Sequence, residues 1–128
     1  MKRLYILLTA ILLTSFAWAQ SPQKMSYQAV VRDAANALVI NQEAGIQISL
    51  LQGSVSGDAV YIETQAPTTN GNGLFSIEIG AGAVISGSLT TIDWSEGPYF
   101  IHTEIDPTGG TNYTITGTSE LLSVPYAL

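Results

Sequence analysis

The sequence predicts an all-β domain: an antiparallel β-sandwich of about seven strands, Greek-key in connection and immunoglobulin- or transthyretin-like in class. Three observations carry this. Beyond the first twenty residues the apolar side chains recur at every second position over short runs, with no sustained helical period. Gly, Asn, Asp and Pro interrupt these runs, and they are the residues that turns require. The runs also follow one another at roughly regular spacing along the whole chain, as in small sandwiches.

Taken in order, "SYQAVVRD" sets Tyr27, Ala29 and Val31 against Gln28, Val30 and Arg32. Asp33 and Asn36 in "DAANAL" form a turn, and "LVINQ" is expected as a short strand. "AGIQISLLQG" places Ile46, Ile48 and Leu50 opposite Gln47 and Ser49. Its "IQISLL" core is apolar, uncharged and free of Pro, so it belongs in the middle of a sheet rather than on an edge open to aggregation. "DAVYIETQ" alternates Val60 and Ile62 with Tyr61 and Glu63. Two overlapping Asn-Gly pairs, Asn70-Gly71 and Asn72-Gly73, predict a tight type I′ hairpin, formed by either pair. Phe75, Ile77 and Ile79 then point inward, with Ser76 and Glu78 outward. "AGAVISGSLTTIDWSEGP" reads as a crossover loop holding at most one short strand around Leu89 to Ile92. "YFIHTEID" alternates Tyr99, Ile101, Thr103 and Ile105 with Phe100, His102 and Glu104. "PTGGTN" turns, and "YTITGTSELLSV" supplies the final strand, with most of "ELLSV" in it.

Residues 1–19 have the pattern of a signal peptide: Lys2 and Arg3, an apolar run, then Ala17-Trp18-Ala19. Residues 20–128 form one domain, long enough to bury a core without staples, and the chain contains no cysteine. Localisation is expected to be secreted or cell-surface, with no membrane span in the mature chain. Only 11% of residues are charged, against roughly 25% in an average domain. Lys24 and Arg32 alone then face ten acidic side chains, a balance that repels nucleic acid and anionic lipid.

No catalytic, cofactor or metal residues are assigned. His102, the single histidine, lies on a strand face with Phe100 and Glu104, and no motif supplies the nucleophile that would make it catalytic. Glu104 and Asp106 share that face as outward charges on a strand. The turn Asp106–Asn112 offers oxygen ligands but lacks the spacing of a calcium loop. "GAGAVISG" lacks the lysine of a phosphate loop. Trp94, Tyr99 and Phe100 cluster at "DWSEGPYF", where aromatics either fill the core or offer a platform for sugar rings. Tyr126 and Leu128 close an apolar tail, and with Pro125 they are expected to start a connection from the domain to a partner chain or stalk.

The segments "YQAVVRD", "DPTGGTNY" and "SVPYAL", with the intervening runs, resemble a β-rich N-terminal module of secreted and surface proteins of Bacteroidetes-type bacteria. The resemblance covers Met25 to Leu128. It implies a module behind a signal peptide and ahead of a collagen-like or tail-fibre-like stalk, with no enzymatic role of its own. The sequence stops at "SVPYAL", so a fragment or stand-alone copy of such a head is expected. The function expected is therefore a non-enzymatic structural or adhesive module, a head or adaptor domain joined to a homo-oligomer or stalk through its C-terminal end. A carbohydrate-binding module is the alternative, with a glycan or surface protein as partner.

Overall fold

The computed structural model describes residues 24–122. The expected signal peptide and the apolar tail with Tyr126 and Leu128 lie outside these residues. Seven strands form two antiparallel sheets: β1 (Met25–Val30), β2 (Gly45–Gln52), β3 (Asp58–Gln65), β4 (Leu74–Ile79), β5 (Ala83–Gly87), β6 (Tyr99–Asp106) and β7 (Ile115–Glu120). The small sheet pairs β1 with β4, and the large one runs β5-β3-β2-β6-β7. The only helical pieces among the described residues are two 3-10 turns, Leu89–Thr91 and Trp94–Glu96.

The period-two pattern explains the layering. On β4, Phe75, Ile77 and Ile79 are buried while Ser76 and Glu78 are exposed. They meet Ile46, Ile48 and Leu50 of β2, Tyr61 of β3, and Ile101 and Ile105 of β6 in one core. The run "IQISLL" occupies the middle of the large sheet, hydrogen-bonded to β3 on one side and β6 on the other. Burial of an aliphatic or aromatic side chain of this size is worth roughly 1.5–3 kcal/mol. The core therefore holds the sheets together without disulfides.

Four expectations need correction. "LVINQ" is not a strand. Asn36 and Asn41 take positive φ, and Leu38 makes only an isolated bridge to Arg32. The Asp33 carboxylate accepts from the Ala35 and Ala37 amides and closes the turn, and beyond it the pairing runs no further than the Val39 amide on the Val31 carbonyl. The short strand placed around Leu89–Ile92 instead lies earlier, at Ala83–Gly87, and Leu89–Thr91 is a 3-10 turn. Hydroxyls bond locally within that stretch, Thr91 donating to the Ser88 carbonyl and the Ser88 and Thr90 hydroxyls pairing at 2.8 Å.

The Asn-Gly pairs do not form a type I′ turn. Neither Gly71 nor Asn72 has positive φ, whereas Gly73 does, at 73°. Gly73 donates to the Asn70 carbonyl and Asn70 to the Leu74 carbonyl, giving a turn followed by a left-handed glycine. Nor does the turn join a hairpin. β3 lies in the large sheet and β4 in the small one, so it serves as a corner between layers. The last strand ends at Glu120, before most of "ELLSV". Leu121 adds one more hydrogen bond, to the Tyr99 carbonyl, and packs against the core, while Leu122 is 85% exposed.

Candidate functional site

The large sheet's outer face is where the sequence placed its only imidazole, and register decides what that imidazole meets. Ser49, His102 and Thr118 stand abreast on β2, β6 and β7, and Gln47, Glu104 and Thr116 form the next row. His102 Nδ1 lies 2.8 Å from Thr118 Oγ1, and its Nε2 lies 3.8 Å from the Glu104 carboxylate. Gln47 donates to that same carboxylate at 3.3 Å. A polar line thus crosses three strands, from Gln47 through Glu104 and His102 to Thr118. Sequence reasoning saw Glu104 beside His102 and missed Thr118 and Gln47, because cross-strand register cannot be read from either strand alone.

A hydroxyl, an imidazole and a carboxylate in line are the parts of a nucleophilic triad. Here they lie on an open sheet. The separation between His102 and Glu104 exceeds a hydrogen bond, and all three side chains are spread across a surface instead of converging in a cleft. The arrangement joins neighbouring strands, a role worth roughly 0.2–1 kcal/mol per pair.

Asp106 does not join that line. It is buried, and its carboxylate accepts from the Thr108 hydroxyl and from the amides of Thr108, Gly110 and Asn112. These bonds, the Thr108 hydroxyl's foremost, hold its carboxyl below the usual carboxylate range. Its oxygens are committed to folding the turn that sequence reading weighed as a cation loop. No group of three or more His, Cys, Asp or Glu is placed to hold a metal among the described residues.

The carboxylate that sequence reading did not single out is Glu63. It lies on the core side of β3 with Tyr61 and is 0% exposed. It accepts from the Gly80 amide, from the Gly82 amide at 2.7 Å, and from Gln65 Nε2 at 2.9 Å. Gln65 also donates to the Glu78 carbonyl at 2.7 Å. One side chain pair on β3 therefore clamps the turn between β4 and β5, where the chain changes sheets. Burial, followed by the charge of Glu63 and its hydrogen bond, pushes the Tyr61 phenol up to about 12. The one available signal was "IGAGA": two glycine amides that a carboxylate can approach because no side chain intervenes. A Cβ on Gly82 would overlap Glu63.

The three aromatics separate. Tyr99 is buried and donates to the Asp93 carbonyl. Trp94 packs edge-on against it, with ring centroids 5.1 Å apart, in partial contact with the core. Phe100 is half-buried on the opposite face of β6, abreast of Leu51 and Glu120. They do not share one platform. A hollow of about 350 Å³ lies elsewhere, between the ends of β2 and β3 and the Gly109–Tyr113 loop. Three glycines, Gly45, Gly109 and Gly110, form part of its wall, and the Gly110 carbonyl approaches Gly45 so closely that a Cβ there would overlap it.

What the surface does offer is β5. All five of its residues are exposed, with Val84 at 56% and Ile85 at 58%. β5 is one of the two outer strands of the large sheet, bulged at Ile85 against β3, and no charge occurs from Gly80 to Ile92.

Two unequal antiparallel sheets, with their buried charges spent on turns and their apolar surplus on an outer strand, define a small all-β module. The chain belongs to a family described as a domain of unknown function, DUF8740, which matches residues 26–119. Comparison with curated proteins finds no match. Comparison with solved structures finds none either.

Proposed function

We propose that the chain is a non-enzymatic structural or adhesive module of the cell exterior, a head or adaptor domain that acts by contact rather than by chemistry. One observation carries the reading: the buried carboxylates Glu63 and Asp106 hold turns, while the exposed outer strand β5 is apolar and uncharged. Among the described residues no buried side-chain nitrogen or oxygen lacks a partner, so the buried polar groups are taken up within the fold. An exposed apolar edge strand, by contrast, is costly unless something pairs with it. The signal-peptide pattern of residues 1–19 and the resemblance to stalk-bearing surface modules support export and attachment to a larger fibre.

The test is surface accessibility in the native host. The full-length chain carrying a small epitope in the Val55 loop is expressed, and intact cells are treated with a protease that cannot enter them. The epitope is expected to be lost from intact cells, with a charged substitution on the outer strand, Ile85→Lys, reducing attachment while export continues. An epitope protected until the cells are lysed would overturn the reading.

A further inference from the structure

The sequence "NGNG" contains two Asn-Gly pairs that are chemically equivalent in an unfolded chain. In each, a glycine amide with no neighbouring side chain can reach the preceding asparagine carboxamide. The fold makes them unequal, and we propose that Asn72 is a site of spontaneous deamidation while Asn70 is protected.

Asn70 is fixed on every side. Its Oδ1 accepts from the Asn72 amide at 2.8 Å and the Leu74 amide at 3.1 Å. Its own amide donates to the Leu74 carbonyl at 2.9 Å, and its carbonyl accepts from Gly73 at 3.1 Å and Asn41 at 3.2 Å. Turning its Cγ onto the Gly71 nitrogen requires giving up both side-chain bonds and rotating a main chain held by three more. The Asn72 carboxamide is exposed and makes no hydrogen bond among the described residues. Its nucleophile, the Gly73 nitrogen, belongs to a buried residue but is held by a single bond, the 3.1 Å contact to Asn70. Opening that one bond frees both reactants.

The chemistry needs only water. The Gly73 nitrogen, having lost its proton to base, forms a bond to Asn72 Cγ, and the carboxamide nitrogen leaves as ammonia. The five-membered imide then takes up one water at either carbonyl. The product is an aspartyl residue, or an isoaspartyl residue whose extra main-chain methylene lies at an exposed corner. Either product adds a negative charge to a chain already rich in acid.

The test incubates the folded mature chain at mildly alkaline pH and follows it by intact mass and peptide mapping, with the chain in denaturant as reference. In denaturant both asparagines convert at similar rates. In the folded chain Asn72 is expected to convert roughly tenfold faster than Asn70, the ratio that one additional net hydrogen bond of about 1 kcal/mol or slightly more implies. Asn72→Asp is expected to abolish the early mass gain, while Asn70→Asp, which keeps the acceptor oxygen, leaves it in place. Conversion of Asn70 first or at an equal rate in the folded chain would overturn the proposal. Silence at both positions after the denatured chain has fully reacted would do the same.

Discussion

Replacing Glu63 with alanine removes the acceptor on which the corner between the sheets depends. The Gly80 and Gly82 amides lose their partner, whereas Gln65 keeps the Glu78 carbonyl. A donor left unsatisfied on burial costs about 1–3 kcal/mol, less here because Gly80 and Gly82 are only half-buried, and hydrogen bonds to a charged group contribute about 1.5–3 kcal/mol each. Relief of carboxylate desolvation offsets part of this loss. The net cost is therefore about 2–4 kcal/mol, a large share of a domain stability of about 5–15 kcal/mol. Urea unfolding of the mature chain measures it, followed by fluorescence of Trp94, whose ring packs on Tyr99. The midpoint is expected to fall with little change in slope. Glu63→Gln keeps one acceptor oxygen but turns an amide donor toward a backbone donor, so it should fall between wild type and alanine. A midpoint for Glu63→Ala within about 0.5 kcal/mol of wild type would refute the clamp, since surface substitutions give changes of that size.

Two further outcomes follow from the same geometry. Asp106 has its folded pKa lowered by the Thr108 hydroxyl and the surrounding amides. Its contribution is thus fully present above the unfolded value of about 4 and is lost as pH falls through the folded value. Thermal melts stepped downward from about pH 5 should show wild type losing stability faster than Asp106→Asn, which has no carboxyl to titrate there; equal slopes would remove Asp106 as the cause. Gly45→Ala forces a Cβ onto the Gly110 carbonyl and should cost about 1–3 kcal/mol, the usual range for overpacking, whereas Gly71→Ala, with nothing near its Cβ, should cost far less. Denaturant midpoints of the two variants decide the point.

The alternation of apolar and polar residues settled much of the architecture before any contact was known. Phe75, Ile77 and Ile79 could face only one way, and "IQISLL" could be stable only inside a sheet. Both follow from a period that is a property of the strand itself. Turn chemistry was equally local at Asp33, where the carboxylate bonds the amides two and four residues on. Local reading misled where two local answers competed. "NGNG" satisfies the composition of a type I′ hairpin, yet strand pairing sent β3 and β4 to different sheets and made the turn a corner. Composition concealed β5 because a Gly/Ser-rich strand resembles a loop until β3 pairs with it.

The candidate site was legible only in part. His102, Glu104 and Phe100 were placed on one face by alternation alone, since every second residue of a strand must share a side. That Thr118 and Gln47 complete the line, and that Tyr99 turns inward to Trp94, depend on which strands are neighbours and in what register. The fate of the acidic residues was decided at the same level. Glu63 and Asp106 look like any other charges in an acidic sequence, and nothing within a strand says that a carboxylate can be buried. For Glu63 the amides that make burial tolerable come from the Gly80–Gly82 corner, remote from it in sequence, whereas Asp106 takes them from the turn that follows it. The sequence by itself thus determined which residues could be strands and which side chains shared a face. Tertiary structure decided which polar groups were consumed and which surface was left over, because hydrogen-bond satisfaction is a property of neighbours in space.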